Sequence, residues 1–505
     1  MTALHRGLPL AGIALLLTTT GALAQVTAQQ VWDDWRTSIA ASGQTTVSTG
    51  SENLAGGVLT VTDLAIDMTA EGGTTHAVVP EIVFTEQGDG SVAITMSPAQ
   101  TLRIVSAADE HGDSFDIGLI LEQTDGVTTA SGAPGAMTYA VAMPRVTLRL
   151  DHVIANGEPA EADGAVILSN LAGTFTWGMQ GDLFDIDYRI SADRADLKVS
   201  VNEPDGPGNL TASGTYAGMQ SDVSMSYPSG IDSEDTEALF AAGFRIESNG
   251  QAGAAETSFS FVDGDSTAQG SLRFTGAGSH VSVSQDNFAY EMKLEGIGLD
   301  TTGSELPFPV SLSAGELGLR LAMPMTPTPE PAPFAGRISL ADLEVSDGIW
   351  DMLDAARVIP RTPATVTVDL TGTAIMTRNI LAEPGEDFGM SEAPGVLHSL
   401  DINTVDLAFG GATAHADGAF TFDPSDTTTF DGMPRPEGRI SVALSGVNGL
   451  MQKLGQIGLL PPEQAMGVTM MLGMFAVPSG DDQMTSTIEV GPDGSVTANG
   501  MPLPF

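Results

Sequence analysis

The side chains best suited to acid–base or metal chemistry in this chain are its seven histidines: His5, His76, His111, His152, His280, His398 and His415. No two of them stand at a spacing that would bring both to one ion, so a zinc site is not expected. Asp263-Gly264-Asp265 and the pair Asp423 and Asp426 are acidic turns, but neither supplies the six or more oxygens calcium takes. Asp401, Asp406 and Asp417 cluster in sequence without defining a catalytic pair. The pairs Gly56-Gly57, Gly72-Gly73 and Gly410-Gly411 read as turns. No nucleophile elbow, phosphate-cradling loop or dinucleotide fingerprint is present. The expectation is therefore a protein that is not an enzyme, with no catalytic, cofactor-binding or metal residues and no cofactor.

The elements around these residues are mostly strands. Apolar and polar residues alternate in short runs separated by turn residues, as in Val92–Met96, Val146–Leu150 and Ala364–Ile375. One strand begins at Leu59, Val61 and Leu64 and continues at Ile66 and Met68 after a bulge. A first helix is predicted over 27–41. Thr27 and Gln30 form a capping box, and Trp32, Trp35 and Ile39 line the face that docks it onto a sheet. Short helices are predicted at Thr236–Ala242 and after Ser346-Asp347, where Ile349, Trp350 and Leu353 are apolar.

The C-terminal stretch is the most organised. Val447, Leu450, Met451, Leu454 and Ile457 share one helical face, and Pro461-Pro462 is expected to stop that helix. A second pattern, Ala465–Ala476, is apolar almost all round. This hairpin, 446–476, is expected to act as a lid or plug on the sheet. The fold class expected is mainly β: elongated, curved antiparallel sheet with a few short helices and the C-terminal helix hairpin. The division expected is 1–24, 25–322, a proline-rich linker 323–336, and 337–505. A strand containing Asp-Leu recurs at 61–64, 340–343 and 405–407, too degenerate to establish a repeat.

Residues 1–24 read as a secretory leader. Arg6 gives the basic start, Leu8 to Leu17 the apolar run, and Ala22-Leu23-Ala24 the small-residue cleavage site. The apolar run is shorter than the roughly 20 residues a spanning helix needs. Periplasmic localisation after cleavage behind Ala24, with no transmembrane segment, is expected. There is no cysteine. The net charge of −45, with lysine only at Lys198, Lys293 and Lys453, disfavours nucleic acid and anionic membranes as partners. An outer-membrane barrel is disfavoured too, because 6% aromatic residues cannot build two interfacial girdles.

Several stretches together resemble the DUF2125 family of uncharacterised exported alphaproteobacterial proteins. They are the leader with Val31-Trp32-Asp33-Asp34-Trp35, then Ser346–Trp350 running into Ile359–Ala364, and finally Gly455–Leu460 with Asn499-Gly500. The strand at Gly418–Phe422 is loosely similar to the AsmA- and YdgA-like envelope proteins. That second likeness implies a long curved sheet with a greasy groove. Two functional expectations follow. One is a carrier that binds a lipid or other envelope amphiphile in an apolar groove, to which the hairpin methionines would contribute. The other is a structural protein that interacts with envelope proteins and holds no small ligand. An open groove should leave apolar strand faces uncovered; a closed sandwich should bury them.

Overall fold

The computed structural model describes residues 25–41, 45–70, 73–106, 113–203, 206–231, 235–382, 395–430 and 432–503. The leader, His5 and His111 lie outside them. The chain forms one antiparallel sheet in which almost every strand pairs with its sequence neighbour. Strands reach 20 residues, as in Ala136–Ala155, Glu161–Gln180, Leu183–Asn202 and Asn209–Pro228. The proline-rich stretch joins Val310–Pro324 to Ala332–Val345, and these two strands pair, so the sheet runs unbroken across it. Among the described residues, no pairing joins the first strands to the last.

Among the described residues, five α-helices accompany the sheet: α1 (Ala28–Ala41), α2 (Thr236–Ala241), α3 (Asp347–Leu353), α4 (Val447–Gln456) and α5 (Pro462–Phe475). The capping box of α1 forms as read. The Thr27 N–H donates to Gln30 Oε1 at 3.0 Å, and the Gln30 N–H donates to Thr27 Oγ1 at 3.2 Å. Pro461 and Pro462 do not end α4. That helix finishes at Gln456, before Gly458 in the left-handed region, and Pro462 opens α5, where its missing N–H costs nothing.

A crease crosses the sheet at right angles to the strands. Gly50 lies opposite Asp63, and Asp63 lies opposite Pro80. Further on, Pro144, Asn170, Asp193 and Gly218 stand in register across four strands. Gly296, Gly315 and Asp342 continue the line across three more. Asp63, Asn170, Gly218, Gly296 and Asp342 all have φ between 51° and 58°. Asp and Asn are the non-glycine residues that best tolerate this left-handed conformation. The Asn170 side-chain amide also donates to Asp193 Oδ2 at 2.8 Å.

At the crease the side-chain alternation slips by one residue. Leu59 and Val61 give way to Leu64 and Ile66; Tyr139 and Val141 give way to Val146 and Leu148. Each slip keeps apolar residues on one side of the sheet along both halves of a strand. On that side, Leu64, Val146, Ala192, Ala195, Ala255 and Ala314 flank the crease at 2–7% exposure. The crease residues Asp63, Pro80, Asn170, Asp193 and Asp342 are exposed on the other side. The sheet is therefore folded toward its apolar face, and the crease is the floor of an apolar trough.

Candidate functional site

The trough is filled at its N-terminal end by α1. Val31, Trp32 and Trp35 are buried against Leu59, Val61, Ile82, Phe84 and Ile94 on one wall, and Val47, Ile66 and Val79 on the other pack against the same cluster. Trp32 and Trp35 lie 5.8 and 5.6 Å from Phe84, and Tyr139 stacks on Phe175 at 4.9 Å. One polar group is set into this cluster. The Asp34 carboxylate accepts from the Tyr139 hydroxyl at 2.6 Å and from Trp177 Nε1 at 2.9 Å. Burial, and then the Asp34 charge, push the Tyr139 hydroxyl far above its ordinary range, so it stays a donor. Sequence reading assigned Asp34 no role. Its signal was its place three residues after Val31, beside the apolar stripe.

Beyond α1, the described helix next in the chain is α2, which buries Leu239 and Phe240 and whose Glu237 accepts from the Asn379 side-chain amide at 3.2 Å. Where the second wall shortens to Val310–Ala314 and Leu343–Val345, the first wall lies bare. Leu317, Leu319 and Leu321, then Ile338, Val366 and Leu407, are 37–59% exposed. Register puts these side chains on one face: Leu319 opposes Ile338, Leu317 opposes Leu340, and Val366 lies between Leu340 and Leu407. At the C-terminal end the apolar face of α4, Val447, Leu450, Met451 and Leu454, is half-buried beside the sheet, whereas α5 is more open. No residue of α4 or α5 is buried, and Met466, Met470, Met471 and Met474 of α5 are 51–71% exposed.

The opposite face is polar and holds the cavities that indent the sheet. One of them, about 940 Å³, is lined by Asp401, Asp417, Glu437, Arg439 and Glu489. Small residues lie between charged ones on this face, and ion pairs and hydrogen bonds engage many of the charges. Arg337 bridges Glu316 at 3.1 Å and Asp369 at 3.0 Å. His76 meets Asp67 at 2.6 Å, His152 meets Asp151 at 3.0 Å, and His280 meets Asn249 at 2.9 Å. His415 meets Asp406 at 2.6 Å and lies 3.9 Å from Asp417. Asp423 and Asp426 are both spanned by Arg435, at 2.9 and 3.1 Å. Among the described residues no group of three or more His, Cys, Asp or Glu side chains could hold a metal ion. No described helix is long and apolar enough to cross a membrane.

Two further stretches singled out in the sequence are structural. Trp350 of α3 is buried and stacks on Phe409 at 5.9 Å. Arg361 pairs with Asp347 and Asp351 of α3, while buried Asp354 accepts from the Ile359 N–H at 2.6 Å. This knot closes the end of the short wall. A family model described as "Uncharacterized protein conserved in bacteria (DUF2125)" matches residues 235–504, more than half of the chain.

The chain belongs to the DUF2125 family.

The matched region takes in α2, the later part of the crease, the α3 knot and the C-terminal hairpin. The Val31–Trp35 stretch and α1 lie outside it. No curated protein matches. Among solved structures, the ferric citrate transporter FecA in its unliganded form aligns at 11% identity over 91% of this chain and 76% of that one, with a TM-score of 0.16. A score that low carries no argument about fold or function. None of these matches supports the likeness to AsmA- and YdgA-like proteins.

Proposed function

We propose that the trough is a non-catalytic binding site for the acyl chain of a lipid or other envelope amphiphile, in a protein exported to the periplasm. The observation that carries this reading is the bare apolar strip at Leu317–Leu321, Ile338, Val366 and Leu407. A sheet face of that composition is normally covered by a second layer, and an exposed apolar strip marks a binding surface. From Leu183–Asn202 to Ala364–Met376 the trough crosses eight strand rows. At about 4.8 Å per row this is roughly 35 Å, longer than the roughly 15 Å that one leaflet contributes to a bilayer core. The −45 charge also suits a soluble carrier, since it keeps copies with a bare apolar face apart.

The test is native mass spectrometry of protein prepared without detergent, then incubated with phospholipid. Adducts of acyl-chain mass that solvent extraction removes, and that Ile338→Glu with Leu319→Glu abolishes, support the reading. A clean apo mass before and after incubation refutes it. The second reading, a structural protein whose apolar strip is covered by a partner, is favoured by one observation: the strip is an open sheet surface.

A further inference from the structure

We propose that the methionine face of α5 seats the protein on the surface of a lipid bilayer. The helix is held rigidly at both ends of the hairpin. Asp482 accepts from the N–H groups of Asn448 and Gly449 at 3.1 and 2.9 Å, which caps α4. At the far end the Phe475 carbonyl accepts from Ser486 Oγ at 2.5 Å and from the Asn499 side-chain amide at 2.9 Å. Ala465, Val468, Leu472 and Phe475 are half-buried on the side toward the protein. Met466, Met470 and Met474 follow one another at four-residue spacing on the outer side, with Met471 beside them.

Three observations favour a bilayer over another protein or a second copy. Between Lys453 and Asp481 the only charged residue is Glu463, in the first turn of α5, although about one residue in six is charged over the whole chain. The one hydroxyl in the middle of the helix, Thr469, donates to the Ala465 carbonyl at 2.9 Å, so beyond the first turn, which carries Glu463 and Gln464, the helix asks for no polar partner. Val477 and Met501 extend the exposed apolar surface beside the helix. A helix whose one charge, Glu463, lies in its first turn and whose later outer face is flexible and apolar fits hydrocarbon without shape complementarity. This inference does not depend on the trough binding a ligand.

The experiment is co-sedimentation of the full chain with vesicles of phosphatidylcholine alone and with vesicles containing phosphatidylglycerol. Wild type is expected to partition onto phosphatidylcholine vesicles with little dependence on salt. It should partition less onto the anionic vesicles, because of its own charge. Met466→Glu/Met470→Glu/Met474→Glu should lower partitioning by more than roughly tenfold, and the matching triple Leu variant should retain it. Circular dichroism of both variants checks that the sheet is intact. Three results overturn the proposal: wild type that stays in solution with neutral vesicles, a Glu variant that binds as wild type does, or a lipid-free dimer that the Glu variant converts to monomer.

Discussion

Replacing Trp32 with Ala removes the most deeply buried large side chain of α1. Trp32 is fully buried, lies 5.8 Å from Phe84 and carries the Arg36 guanidinium over its ring at 5.9 Å. Burying an indole removes about 150–250 Å² from water, worth about 4–6 kcal/mol at 25 cal/mol per Å². Measured Trp→Ala losses in cores run at about 3–5 kcal/mol. A helix of 14 residues is marginal by itself, so this loss should undock α1. The damage should also stay local, because each strand touches only its neighbours and stability along such a sheet is roughly a sum of nearest-neighbour terms. Hydrogen exchange is the assay. Amides of 28–41, 58–64, 82–84 and 137–139 should exchange about 10²–10³-fold faster, following about 1.4 kcal/mol per decade. Amides of 395–409 and 412–423 should be unchanged. Uniform acceleration along the chain would refute the local account, and no acceleration at 28–41 would refute the docking of α1 as the source of its order.

Two further predictions concern the crease and the ion pairs. Asn170→Val places a β-branched residue at φ 52° and deletes the bond to Asp193, so the urea midpoint should fall by the equivalent of about 2–3 kcal/mol, while Asn170→Gly should lose only the hydrogen bond. The Arg103 guanidinium, aided by His152, holds the Asp116 carboxyl down at about 2, from an ordinary 3.8. The contribution of this group is present above about pH 4 and lost as pH falls toward 2. Asp151, then Asp116, raises His152 above its ordinary 6.5, so its contribution is present below that value and lost as pH rises through the raised one. Urea midpoints should therefore peak between about pH 4 and 6.5; a midpoint that climbs steadily down to pH 2 would refute this assignment.

The strands and helices were legible because their signals are local. The α1 capping box, the Trp32–Trp35 face and the alternation at 92–96 or 146–150 need only a few consecutive residues. An irregularity in the strand of Leu59 and Val61 was legible too, as a bulge before Ile66, whereas the left-handed residue is Asp63. The crease was not, because it exists only when Pro80, Pro144, Asn170, Asp193, Gly218, Gly315 and Asp342 are set in register across strands far apart in sequence. Part of it did surface as the Asp-Leu theme. Asp63 and Asp342 are crease residues with positive φ, whereas Asp406 is an ordinary strand residue paired with His415. The exposure of α5 was not legible for a different reason. An all-round apolar helix usually signals burial, and nothing local distinguishes a buried helix from one whose outer face is left free.

The crease also explains why the apolar face is only partly bare. A sheet must bury its apolar face, and a helix layer or a second sheet is the common solution. Here three devices share that task along one sheet. Tryptophans of α1 fill the trough at the first strands, where both walls are present. In the middle the small residues beside the crease, such as Ala192 and Ala195, are buried where the sheet folds. Past Leu312 the second wall shortens and neither device operates, which is where Leu319 and Ile338 are exposed. The α3 knot then closes the short wall through Trp350 and Phe409 rather than covering the long one. Folding along a line of left-handed residues thus leaves one predictable gap, at the point where one wall ends before the other. Lengthening the short wall would cover Leu319 and Ile338 and remove the proposed site while leaving the rest of the sheet intact.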